Sequence, residues 1–97
     1  MLKLDTNPVF EDAIETFGYG PQMRKAVEEL AELTVALIHY YDNRATHMDV
    51  ATEIADVLIM CHQLARITGE DYVMREYNAK IERLKERIVE VKRGRTA

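Results

Sequence analysis

Two pairs of acids, Glu29 with Glu32 and Glu53 with Asp56, combine residue types and spacing that could do chemistry. Within each pair the members stand three residues apart, which on a helix is roughly 60° of rotation, so both carboxylates leave from one side. Two such helices set face to face would gather four carboxylates around one space. Like charges held that close push protons back onto some of the acids. A hard cation that takes oxygen ligands removes this cost, and Mg²⁺ is the first candidate. A single acid pair at this spacing is ordinarily a solvated face. Two pairs on successive helices, both flanked by apolar residues, carry a small helix-destabilising repulsion with nothing to offset it unless a cation is present.

Four helices are expected to position these groups. Asn7-Pro8 is a helix entry, with Asn as the cap and Pro at the first helical position, and it opens a short helix over 8–17 whose buried face should be Val9, Ala13, Ile14 and Phe17. Residues 1–7 ahead of it should be extended or frayed. After Gly20-Pro21 a second helix is predicted over 21–43, with Met23, Ala26, Val27, Leu30, Leu33, Thr34, Leu37, Ile38 and Tyr41 as its main apolar stripe. Glu32 lies nearly opposite that stripe, beside Val35 and Ala36, so this helix reads as buried on two sides.

Thr46-His-Met-Asp49 has the form of a capping box and predicts a third helix over 47–68, stopped by Gly69. Its main stripe is Val50, Ile54, Val57, Leu58, Cys61, Leu64 and Ala65, which makes Cys61 a core residue. A second stripe joins Glu53, Asp56, Met60, Gln63 and Ile67, and His62 and Arg66 fall on the more exposed remainder. The fourth helix should span 71–92. In it Met74, Tyr77, Ile81, Leu84, Ile88 and Val91 alternate by three and four, the seam of a bundle, and the tail 93–97 should be mobile.

The 97 residues suit one domain and bury only a modest core alone. An all-α bundle of three main helices plus a short N-terminal helix, completed by oligomerisation, is therefore expected. Met60, on the acid-bearing stripe, is assigned to the face that a second subunit would cover. The net charge of −4 argues against a general nucleic-acid binder. Residues 76–97 hold seven Lys/Arg against four Glu, net +3, which leaves −7 for residues 1–75. A single cysteine rules out an internal disulfide framework and fits a reducing compartment. No apolar run reaches membrane-span length and no signal-peptide pattern opens the chain, so a cytoplasmic protein is expected.

Glu28-Glu-x-x-Glu32, a spacer of twenty residues and Glu53-x-x-Asp56 together resemble the EExxE…ExxD signature of the MazG-like, all-α nucleoside triphosphate pyrophosphohydrolases, relatives of the dimeric dUTPases. Gly20-Pro-Gln22, Ile54-Ala-Asp-Val-Leu-Ile59 and Asn78-Ala-Lys80…Arg83 add to the resemblance, which covers roughly residues 17–90. It implies hydrolysis of a nucleoside triphosphate to monophosphate and pyrophosphate with Mg²⁺ as cofactor, in a homodimer or homotetramer. By motif position Glu29, Glu32, Glu53 and Asp56 would be the metal ligands, and Glu28 a neighbour of less defined role. Lys80 and Arg83, with Arg87 a turn further on, would meet phosphate oxygens. Pairing with Glu76, Glu82 and Glu86 is the structural alternative for these cations.

Other chemistry finds less support. Di-iron bundles ligate through Glu-x-x-His, and no acid of the two pairs has a His three residues on. His39 could line the pocket, although a structural role fits it better because nothing pairs it with a nucleophile. There is no Gly-rich phosphate loop. A phosphoribosyl-ATP pyrophosphohydrolase is the nearest alternative within the superfamily, and a non-catalytic helical interaction module using the last helix is the rival outside it.

Overall fold

A computed structural model describes residues 3–96 and places four helices along them: α1 (Val9–Phe17), α2 (Tyr19–Tyr41), α3 (His47–Thr68) and α4 (Glu70–Thr96). Among the described residues there is no strand, and no helix is long and apolar enough to cross a membrane. Residues 3–7 precede α1 without regular structure. Met1, Leu2 and Ala97, which belong to the segments expected to be frayed or mobile, lie outside the described residues.

The helix starts follow from local chemistry. Val9 N–H donates to Asn7 Oδ1 at 3.0 Å while Pro8 holds φ at −63°, so Asn7 caps α1 as its sequence predicts. Gly18 alone separates α1 from α2. Its φ of +94° suits glycine, its N–H closes α1 on the Ile14 carbonyl at 2.8 Å, and its own carbonyl accepts from Gln22 N–H at 3.2 Å to open α2. Hence α2 begins at Tyr19, ahead of the expected position 21, because Pro21 falls in a first turn whose N–H groups need no helical partner. The capping box of α3 is present, with Asp49 N–H donating to Thr46 Oγ1 at 3.1 Å and Thr46 N–H to Asp49 Oδ2 at 2.8 Å. Gly69 turns the chain into α4 at φ +121°, where any Cβ would stand 2.7 Å from Tyr72 Cδ2. Beyond the expected end at 92, α4 continues through Gly94 to Thr96, so the described part of the predicted mobile tail is helical. One glycine in an exposed helix costs only about 1 kcal/mol.

α2 and α3 form an antiparallel hairpin, joined by residues 42–46 and tied at the far end by Gln22 Nε2 donating to Gln63 Oε1 at 2.6 Å. α1 lies across that far end, touching both helices. Its buried residues are Phe10 and Ile14, whereas Val9 and Phe17 are exposed, so the expected inner face is rotated. The cause is a stacked contact: the Phe10 ring lies 4.9 Å from that of His62, and the Arg66 guanidinium sits 5.1 Å over the Phe10 ring. Arg66 also donates to the Asp5 carbonyl at 2.8 Å and pairs with Glu11 at 3.5 Å. His62 and Arg66, expected on an open face, are thus covered by the N-terminal segment.

The larger correction concerns which faces close. The inner face of α2 is Gln22, Ala26, Glu29, Leu33, Ala36 and His39, all buried or half-buried, and that of α3 includes Glu53, Asp56, Met60, Gln63 and Ile67. The acid-bearing faces therefore pack within the chain, and Met60, assigned from sequence to a subunit interface, belongs to the chain's own core at 5 % exposure. The apolar stripe of α2 stays open at Met23, Val27, Leu30, Leu37, Ile38 and Tyr41. Ile54, Leu58 and Cys61 are exposed on α3, so Cys61 is not a core residue. Among the described residues α4 touches α3 alone, and Tyr77, Leu84, Ile88 and Val91 of its seam are exposed. The chain accordingly presents 7733 Å² of surface, where a compact monomer of 11.2 kDa would present about 5,700 Å².

Candidate metal centre

The hairpin register assembles the acids. From the Gln22–Gln63 tie, Glu29 lies seven residues along α2 and Asp56 seven residues back along α3, while Glu32 and Glu53 each lie ten away. Seven residues is two helical turns, so Glu29 and Asp56 stay on the face that the glutamines share, whereas ten residues sets Glu32 and Glu53 about 80° round from it. Carboxylate oxygens of Glu29, Glu53 and Asp56 all lie within 4.8 Å of one another.

Burial makes this arrangement costly. Glu29 is 7 % exposed, and Glu53 and Asp56 are half-buried. Oε2 of Glu29 and Oε2 of Glu53 are buried and accept no hydrogen bond, whereas buried carboxylate oxygens ordinarily find donors. Lys25 offsets part of the charge, its Nζ lying 3.2 Å from Glu29 Oε1 and 4.0 Å from Glu28 Oε2. The hydrogen bond to Glu29 and that carboxylate's charge hold the Lys25 ammonium above its usual pKa. Glu28 points away from the three-acid group, into a separate hollow beside the start of α2.

Glu32 is exposed and outside the three-oxygen group, but the group's charge acts on it. The charge of Glu29 first, then loss of hydration, then the charge of Glu53 push its carboxyl above the usual glutamate range. Glu32 and Glu53 stand at the head of a cleft of about 560 Å³ between α2 and α3. Ala31, Val35, Ala36 and Ala45 give the cleft apolar walls, and His39, Arg44 and Thr52 add polar groups. His39 therefore does line the pocket beside the acids. Asp49, also on its wall, is held below its usual pKa by the Thr46 N–H and then by the Thr46 hydroxyl.

Lys80 and Arg83 are elsewhere in the chain. With Arg87 they line a hollow on α4 that shares no residue with the cleft. Among the described residues none of the three forms an ion pair; Glu82 pairs with Lys85 instead, at 3.0 Å. One chain thus brings Glu29, Glu53 and Asp56 together, leaves Glu32 exposed beside them, and leaves the α4 cations apart. Lys25, four residues before Glu29 and so one turn from it, was legible as a helical ion-pair partner, yet sequence reasoning passed over it.

The donor set fits a hard divalent cation: oxygen ligands only, carboxylates on two rigid helices, and two buried oxygens lacking a donor. No His or Cys joins the group, which disfavours the softer metals. Comparison of the chain with protein-family models, with curated proteins and with solved structures finds no match.

Proposed function

We propose that this chain is a Mg²⁺-dependent nucleoside triphosphate pyrophosphohydrolase of the MazG-like kind, working as a homodimer or a dimer of dimers. The observation that carries the proposal is the trio Glu29, Glu53 and Asp56, in which one buried oxygen each of Glu29 and Glu53 accepts no hydrogen bond, and of which Glu53 also lines a cleft large enough for a nucleoside. Bound among these acids, Mg²⁺ would offset the charge of the triphosphate and make an attacking water more acidic.

The chain's own residues divide the remaining work. Glu29, Glu53 and Asp56 would hold the cation from α2 and α3, which the Gln22–Gln63 hydrogen bond ties together. Glu32 completes the ligand set or takes the water's proton, since it lines the cleft beside Glu53 and the charge of Glu29 makes it a stronger base than an ordinary glutamate. The small side chains Ala31, Ala36 and Ala45 leave room for the nucleoside and exclude water from one side. Lys80, Arg83 and Arg87, which form no ion pair among the described residues, would serve the phosphates of a neighbouring copy, whose approach would also cover the apolar seam of α4.

A helical module that only binds a partner would use the same open seam, but it gives no reason for three carboxylates held together between α2 and α3. The deciding experiment is a screen of canonical and modified nucleoside triphosphates with Mg²⁺, measuring pyrophosphate and orthophosphate separately. Pyrophosphate with monophosphate is expected. Orthophosphate alone, or no turnover of any triphosphate, would refute the assignment.

A further inference from the structure

Lys25 occupies the boundary between two features. On one side it pairs with Glu29, the most buried acid of the cluster, through Nζ to Oε1 at 3.2 Å. On the other it lines the hollow beside the start of α2, about 620 Å³, together with Gly20, Pro21, Gln22, Arg24 and Glu28. The Lys25 side chain is half exposed, so the ammonium can leave Glu29 without breaking a packed contact. Arg24 forms no ion pair among the described residues, so the hollow already holds one free cation.

Resting on the reading of the acid trio as a cation site, we propose that Lys25 is the site's exchangeable counter-ion: it holds Glu29 in the metal-free protein and passes to a phosphate oxygen when the divalent ion enters. The physical reason is competition for one carboxylate. Glu29 Oε1 can turn its charge to the ammonium or to the incoming ion, and the divalent ion has the greater charge and also serves Glu53 and Asp56. The displaced ammonium then keeps Glu28 at 4.0 Å and lies within reach of the hollow beside Arg24, where an anion would bring two cations against the one carboxylate. Metal binding and phosphate binding are thereby coupled through one side chain, each making the other more favourable. Lys25 is in this sense a positioning residue before the phosphate arrives and a binding residue afterwards.

The test uses Mn²⁺ as the probe ion, titrated by electron paramagnetic resonance into the full chain with no nucleotide present. Lys25→Gln is expected to bind Mn²⁺ roughly two- to fivefold more tightly than the wild type, the range for releasing a half-exposed ion pair. Arg24→Gln removes the same charge one residue away without freeing Glu29, and should change the affinity less. On the Mn²⁺-loaded protein, inorganic pyrophosphate measured by calorimetry should bind Lys25→Gln roughly tenfold more weakly, with Lys25→Arg recovering part of the loss, as for removal of a charge-assisted hydrogen bond. A Lys25→Gln chain that binds Mn²⁺ no more tightly than wild type, or no more tightly than Arg24→Gln, would overturn the role given to Lys25 alone. Failure of the wild type to bind Mn²⁺ would overturn it together with the cation site itself.

Discussion

The uncovered apolar faces give a prediction whose size can be worked from the surface area. The chain exposes 7733 Å², about 2,000 Å² more than a compact monomer of its mass. If a second copy covers that excess, the two chains together bury about 4,000 Å², within the range of obligate homodimers. Folding and association would then be one event, and stability would depend on protein concentration. A tenfold change in concentration is worth about 1.4 kcal/mol, which for two chains melting together moves Tm by about 3–6 °C. The perturbation that separates the alternatives is Leu84→Lys in the α4 seam. In a lone chain Leu84 is half exposed, so a lysine there should cost within about 0.5 kcal/mol. In a covered seam the same change buries an unpaired charge and should dissociate the assembly. Sedimentation velocity and thermal melts over a hundredfold concentration range read both effects. A wild type that sediments as a monomer, melts independently of concentration and is matched by Leu84→Lys would refute the reasoning.

Two further outcomes follow from the acid cluster. Glu53→Gln and Asp56→Asn should each lower turnover by more than about a hundredfold, since loss even of groups behind a metal's ligands costs about 10- to 100-fold. The metal-free variants should fold as well as the wild type or better, because a crowded charge has gone; steady-state rates and melts in chelator read the two effects. For Glu32 the folded pKa lies above the unfolded one, so its contribution to stability is fully present below about pH 4.5 and is lost as pH rises through the raised folded value. Glu32→Gln should therefore melt higher than the wild type at neutral pH in chelator, with the advantage vanishing at low pH; an advantage that persists below pH 4 would contradict the cause assigned to the shift.

The helices were legible in the sequence because their signals are local. Asn7-Pro8, Thr46 with Asp49, Gly18 and Gly69 act on backbone groups a few residues away, and each marks a boundary that the structure keeps. The faces were not legible in the same way. Periodicity identifies the apolar stripe of α2 but says nothing of what covers it, and the natural assumption sends Leu30 and Leu37 into the chain's own core. The structure sends Ala26, Glu29 and Ala36 there instead. A clue was present all the same: Gln22, Glu29 and Glu32 on one helix and Gln63, Asp56 and Glu53 on the next have matching separations of seven and three, the pattern of polar residues that meet across an antiparallel pair. Phe10 over His62 gave no comparable clue, since a stacked ring contact depends on the path of the chain through Gly18 and not on any repeat.

The same partition accounts for the two features of this chain that make least sense in isolation. One is a group of acids on α2 and α3 with buried oxygens lacking donors, to which Lys25 contributes an ion pair with Glu29. The other is α4, which carries a basic stretch and an apolar seam and, among the described residues, pairs neither Lys80, Arg83 nor Arg87 and rests on α3 alone. Each is costly alone: buried carboxylate oxygens without donors in the first case, exposed leucine, isoleucine and valine in the second. The first calls for cations and the second for an apolar surface, and the open stripe of α2 supplies such a surface on the helix that bears Glu29 and Glu32. Laying α4 of one copy against α2 of another would reduce both costs at once.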